Sequence, residues 1–217
     1  AHGSKGFYQS DITTDLVSSL KELGGVHSLA DFENIKVQYV DPTYAELKDG
    51  STLIELPPNG QGLTAIMMKK LMQFCNIDRF SAGSFERVHL EAEIAKVAYA
   101  ARNNFIGDPN FSEVKQNIFL DDAYLEQLSR EISIGKLLND NLEDDFFARN
   151  KDTVLICAAD STGNAISLIF STFHAFGSGL CSKKYGLLFH NRGAGFVLKK
   201  DHPNELMGGK RPLHTII

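Results

Sequence analysis

Apolar residues at Ile12, Leu16, Val17, Leu20 and Leu23 mark one face of a helix over Asp11 to Leu23, and Gly24-Gly25 supplies its C-cap. Ile35-Lys36-Val37-Gln38-Tyr39 alternates and predicts a strand. Ser51 to Leu56 predicts a second, closed by Pro57-Pro58-Asn59-Gly60-Gln61-Gly62, where proline stops the ladder and glycine turns the chain. Helices are predicted over Leu63 to Cys75, over Phe85 to Phe105 with Gly107-Asp108-Pro109 as its stop, and over Asp122 to Ile132. The pattern then changes. Thr153–Ala159 and Ala165–Ser171 are apolar runs joined by the turn residues Asp160-Ser161-Thr162-Gly163-Asn164, which predicts a hairpin. Gly177-Ser178-Gly179 is a corner, Gly186–His190 a short strand, and Leu213–Ile217 a terminal strand after a glycine-rich loop. The acidic, polar stretch 139–145 divides a mainly helical part, 1–152, from an antiparallel part, 153–217.

Composition narrows the function classes. The chain has 217 residues and a formal net charge of −5, with no Lys/Arg block, which argues against nucleic-acid binding. Cys75, Cys157 and Cys181 form no CxxC pair and leave an odd one over, so disulfides do not organise the fold. No apolar run reaches the roughly 18–20 residues of a membrane span. No secretory signal pattern opens the sequence, which favours a cytoplasmic location, although a mature secreted form reads the same way.

One point carries chemistry. Thr153 opens an apolar run directly after an exposed acidic loop. Scission of the Asp152–Thr153 bond would give one residue both a hydroxyl nucleophile and a free amine base. Taken alone, Thr153 is simply a β-branched residue at the start of a strand. Cys157, inside the same run, reads as core. His190, His202 and His214 recur at intervals that match no metal-ligand spacing. Ser18-Ser19-Leu20-Lys21 holds an SxxK spacing without its partner motifs. Glu93 and Arg102 share a helix and read as structural.

Several stretches, taken in order, resemble the γ-glutamyltransferase family. In the first part these are Phe7-Tyr8, the helix ending in Gly24-Gly25, Leu29-Ala30-Asp31-Phe32 and the Pro57-Pro58…Gly60…Gly62 turn. His89…Glu93 to Arg102 and Gly107-Asp108-Pro109 continue the series. Thr153, Asp160…Gly163-Asn164-Ala165, Phe176-Gly177-Ser178-Gly179, Gly186-Leu187-Leu188…Asn191 and Lys210-Arg211-Pro212-Leu213 are similar to the start of the family's small subunit. The resemblance implies an α+β N-terminal-nucleophile hydrolase: part of an αββα four-layer sandwich, a helical large-subunit region followed by antiparallel strands. It implies self-cleavage at Asp152-Thr153 into large and small pieces of one precursor, then acyl transfer or amide hydrolysis by Thr153. Ser171 stands where the family has a threonine that hydrogen-bonds the nucleophile. No cofactor is required by that chemistry. The partner is a small amide of γ-glutamyl or glutaryl type, and a homo-oligomer stays open.

The acyl-group positions depart from the family. Val154 replaces a second threonine, and Phe173 replaces an asparagine. Arg192 replaces a glutamine, and Gly195 replaces the acidic residue that pairs an α-ammonium. His214-Thr215 replaces a serine pair. Loss of the carboxylate and gain of an arginine point to a donor with a carboxylate and no α-amino group. Arg192 is the candidate for that carboxylate, with Asn191 and Thr215 beside it. An authentic glutathione-type γ-glutamyltransferase and an uncleaved, non-catalytic relative remain the alternatives. The family's Pro-Gly-Gly oxyanion element and its large-subunit arginine clamp fall outside the sequence, which is expected to be the middle of a longer protein.

Overall fold

The computed structural model describes residues 3–138 and 153–216. The fold is mixed α and β. Its described residues fall into two compact units, one of 3–39 with 153–192 and one of 40–138 with 193–216.

In the second unit, β1 (Thr43–Glu46) and β2 (Thr52–Glu55) pair antiparallel, with Thr43 opposite Glu55. Helices α4 (Gly62–Phe74), α5 (Phe85–Phe105), α6 (Asn117–Leu120) and α7 (Asp122–Ser129) follow. The core is built from Leu63, Met67 and Leu71 of α4, Leu90, Ile94 and Ala98 of α5, and Phe119, Leu125 and Leu213. Their four-residue spacing aims one stripe of each helix inward. Each large side chain buried this way contributes about 1.5–3 kcal/mol. Ser84 caps α5 by accepting the Arg87 N–H at 3.3 Å. Two glycines are fixed by close approach. A Cβ on Gly62 would lie 2.6 Å from that of Glu55, and one on Gly107 would lie 2.1 Å from the Pro203 carbonyl oxygen.

The C-terminal segment is threaded onto this helical frame by buried polar groups. Asp108, 1 % exposed, accepts from the Arg211 backbone N–H (2.9 Å) and from Nε (3.2 Å) and Nη2 (2.8 Å) of its side chain. Asn59 donates to the Pro212 carbonyl at 2.6 Å and accepts the His214 N–H on its own carbonyl at 2.9 Å. Gln61 donates to the Thr215 carbonyl at 2.5 Å while its Oε1 accepts from Arg102 at 3.0 Å. Asn204 donates to Gly195 and accepts from Leu213. Glu93, 1 % exposed, accepts from Lys96 (2.9 Å) and from the Leu138 N–H (2.8 Å). The structural reading of Glu93 and Arg102 agrees with these contacts.

The first unit holds α1 (Lys5–Tyr8), α2 (Asp11–Glu22), α3 (Leu29–Glu33) and the hairpin of β3 (Thr153–Ala159) with β4 (Ala165–Ser171). Ser10 caps α2. Asp15 on α2 accepts the Lys184 and Tyr185 N–H groups at 3.0 Å each. Desolvation opposes its ionisation, but hydrogen bonds from Ser182, Lys184, Tyr185 and Ser19 prevail and hold its pKa below the usual value. The hairpin turn is closed by Asp160, whose carboxylate accepts from the Thr162 and Asn164 N–H groups and from both side chains. These bonds also lower its pKa.

Several expectations need correction. The alternating segment 35–39 forms no strand, and Ile35, Val37 and Tyr39 are exposed. The strand instead lies at β1, where a partner is available. Gly186–His190 contributes only a bridge from Leu188 to Cys181, and the segment from Leu213 only a bridge from His214 to Gly60. The helix predicted to Ile132 ends at Ser129, and α6 was not foreseen. Cys157 is exposed, not core. The acidic stretch 139–145 and Asp152 lie outside the described residues.

Candidate active site

The hairpin register sets the first element of the site. Thr153 opens β3 directly opposite Ser171, the last residue of β4. Directly opposed positions of an antiparallel pair share one face of the sheet. Ser171 then governs the turn that follows. Its Oγ accepts the Phe173 N–H at 3.0 Å, a local i to i+2 bond that diverts the chain from the strand. Phe173 takes φ +79°, a conformation rare for a bulky L-residue.

Beyond the turn, Asn191 locks the segment from the other side. Its N–H donates to the Thr172 carbonyl (3.2 Å), and its Oδ1 accepts the His174 N–H (3.1 Å). Its Nδ2 donates to His174 Nδ1 (2.7 Å), which puts the imidazole proton on Nε2. Asn191 therefore fixes backbone and an imidazole. The next residue, Arg192, is brought beneath Phe173. Its guanidinium carbon lies 4.9 Å from the ring centroid, and the same ring stacks on His174 at 4.6 Å.

Arg192 is the unusual group. It is 8 % exposed, and neither Nη1 nor Nη2 has a hydrogen-bond partner among the described residues. Burial pushes its pKa down. Its backbone N–H donates to His190 Nδ1 at 3.2 Å. Partial desolvation, then the adjoining Arg192 charge and His27, push the His190 pKa down. A neutral imidazole at 190 is consistent with Nδ1 acting as an acceptor.

Ser171, Asn191 and Arg192 are thus gathered around one turn, in the unit that also holds the Thr153 backbone. Thr215 belongs to the other unit, where its carbonyl is held by Gln61. Sequence reasoning marked Phe173 as a changed position but missed its stack on Arg192. The available signal was a serine two residues ahead of it, the spacing of a side-chain-capped turn. Among the described residues, no group of three or more His, Cys, Asp or Glu is arranged to hold a metal ion, and no helix is long and apolar enough to cross a membrane.

A family model described as Gamma-glutamyltranspeptidase matches residues 1–217. The chain belongs to that family. The glutathione hydrolase-like YwrD proenzyme of Bacillus subtilis is 29% identical over 215 residues, covering 99% of this chain and 40% of its own length. The oxamate amidohydrolase proenzyme of Klebsiella pneumoniae is 29% identical over 217 residues, covering 99% of this chain and 39% of its own length. Among solved structures, cephalosporin acylase from Bacillus halodurans superimposes with a TM-score of 0.78 at 25% identity, over 98% of this chain and 38% of that one. The chain therefore spans about 40% of the length of the curated relatives it matches. Its family places it among N-terminal-nucleophile hydrolases, and its mixed α and β fold agrees with that of the acylase.

Proposed function

We propose that Thr153 becomes an N-terminal nucleophile by scission of Asp152–Thr153, and that the protein cleaves or transfers an acyl group carrying a carboxylate but no α-ammonium. In the scission, the Thr153 hydroxyl oxygen attacks the Asp152 carbonyl carbon. The C–N bond breaks, nitrogen takes the hydroxyl proton and becomes the free amine, and water hydrolyses the resulting ester to release the Asp152 carboxylate and restore the Thr153 hydroxyl. That amine then takes the hydroxyl proton as oxygen attacks the substrate amide. The leaving amine departs with the proton, and water or an acceptor amine resolves the acyl-enzyme. Ser171 orients the nucleophile. Arg192 receives the donor carboxylate, with Asn191 holding the turn beneath it and Thr215 as a further substrate-side residue.

The observation that carries this reading is the register that sets Thr153 against Ser171 in a chain of this family. The relatives' names as proenzymes support the scission. The absence of a partner for the buried Arg192 guanidinium among the described residues supports the altered acyl pocket. On this reading 1–152 and 153–217 are the large-subunit-like and small-subunit-like parts of one precursor, within an αββα four-layer sandwich. The cleavage divides the polypeptide and need not follow the packing units.

Intact-mass analysis of the full-length gene product tests the proposal. Two pieces with threonine at the new N-terminus are expected, and Thr153→Ala should give neither cleavage nor turnover. Glutaryl-p-nitroanilide should outperform γ-glutamyl-p-nitroanilide. Faster release from the γ-glutamyl compound would return the protein to glutathione-type chemistry, and an intact, inactive product would make it a non-catalytic relative.

A further inference from the structure

Resting on that acyl-transfer reading, we propose that Phe173 is the specificity-determining residue of the donor site. Its ring, stacked on the buried Arg192 guanidinium, selects an acyl group with a free carboxylate and rejects the same group bearing an ammonium.

Three observations converge on this residue. Phe173 holds a left-handed backbone at φ +79°, fixed by Ser171 on one side and by the Asn191–His174 bonds on the other. A strained bulky residue persists only where its surroundings over-determine it. The ring is thereby held 4.9 Å from the guanidinium carbon and is itself 8 % exposed. Both Nη atoms of the guanidinium lack partners among the described residues. A buried guanidinium against a ring, with both Nη atoms unsatisfied, is complementary to a carboxylate, which takes two parallel N–H bonds from such a fork.

Electrostatics supplies the discrimination. The guanidinium is already out of water, so an incoming carboxylate does not have to strip a hydration shell from it, and its attraction acts at low dielectric. An ammonium on the carbon next to that carboxylate would meet the same cation and an apolar ring. Among the described residues, the ionisable group coupled to Arg192 is His190, itself affected by His27, and neither is an anion. A polar side chain at position 173 would offer an ammonium an acceptor; a phenyl ring whose π-face is already taken by Arg192 does not.

The test uses ligands that differ by one ammonium, glutarate and L-glutamate, titrated calorimetrically into the full-length protein as purified. Wild type should bind glutarate at least tenfold more tightly than L-glutamate. Phe173→Leu, which keeps apolar bulk but removes the ring, should weaken glutarate roughly tenfold, the scale of a desolvated cation–ring contact. Phe173→Tyr should hold glutarate within about threefold of wild type, and Phe173→Asn should erode the discrimination by about tenfold. Equal affinity of wild type for the two ligands, or a Phe173→Leu protein that binds glutarate within about twofold of wild type, would overturn the inference. Mass analysis of the same samples separates the two layers. An uncleaved protein that still discriminates sinks only the acyl-transfer reading, whereas a cleaved, active one indifferent to Phe173→Leu sinks only this inference.

Discussion

Replacing Arg192 by methionine should make the free protein more stable while disabling it, and the magnitude follows from the surroundings of the guanidinium. The side chain is 8 % exposed with both Nη atoms unpartnered among the described residues. Burying a charge without an anion costs several kcal/mol after relaxation, on the order of 3–5. The stack on Phe173 offsets about 2 kcal/mol of that. Methionine is similar in length, removes the desolvation cost, and keeps a sulfur–ring contact of about 0.3–1.5 kcal/mol. The balance predicts a gain of about 1–4 kcal/mol in unfolding free energy, read as a higher urea midpoint at unchanged slope. Turnover of a glutaryl anilide should fall about a hundredfold in kcat/KM, since the lost charge-assisted bonds contribute about 1.5–3 kcal/mol. An arginine retained for packing would behave oppositely. A methionine variant destabilised by more than about 1 kcal/mol, or one with undiminished kcat/KM, would refute the reasoning.

Three further outcomes are expected. Asp108→Asn should destabilise the protein by about 2–4 kcal/mol in chemical denaturation, because it breaks a buried carboxylate held by three Arg211 N–H bonds. Desolvation works against that carboxylate, yet the Arg211 bonds win and depress its pKa, so its contribution is present above the unfolded value near 4 and is lost as pH falls through the folded value. The variant's acid limb should be correspondingly flatter. His190 also has a depressed pKa, so its contribution is present above the unfolded value of about 6.5 and disappears as pH drops through the folded one; His190→Gln should remove that loss of stability below about pH 6.5 in a pH series of melting curves. Ser171→Ala should slow self-cleavage at least roughly tenfold by timed mass analysis, with Ser171→Thr restoring it, since a lost hydrogen bond to a reacting group costs about 1.4 kcal/mol or more.

What the sequence disclosed depended on how local each cause was. The span of helix α5 was legible because its causes are local: the Gly107-Asp108-Pro109 stop was read from the sequence, and the structure adds a serine cap at Ser84. The hairpin was legible for the same reason, as two apolar runs joined by five turn residues, while the register that sets Thr153 opposite Ser171 comes from the structure. Segment 35–39 has the right alternation but no partner. A strand is stabilised by its neighbour, so Tyr39 ends fully exposed and the ladder forms between β1 and β2 instead. Cys157 failed differently. Apolar residues occupy both parities of β3, the pattern of a strand covered on two faces. Among the described residues Val154, Leu155 and Ile156 are each more than half exposed, so apolar surroundings in sequence did not mean burial in space.

The least legible feature is also the one on which the proposed specificity depends. Nothing in Ser171-Thr172-Phe173-His174 states that phenylalanine will adopt φ +79°. That geometry requires Asn191, seventeen residues away along the chain from His174, to accept the His174 N–H while bonding its ring. Once it does, the same serine hydroxyl has two tasks. Its oxygen accepts the Phe173 N–H, and on the proposed reading it also supports the nucleophile at the opposed position 153. Support for the nucleophile and the setting of the donor site are then two ends of one hydroxyl. On that reading the hydroxyl at 171 serves whatever the acyl group, and the residues at 173 and 192 decide which acyl group is taken. This coupling also requires that Ser171→Ala impair glutarate binding as well as self-cleavage, whereas Phe173→Leu should impair binding alone; cleavage slowed equally by both variants would separate the hydroxyl from the turn it caps.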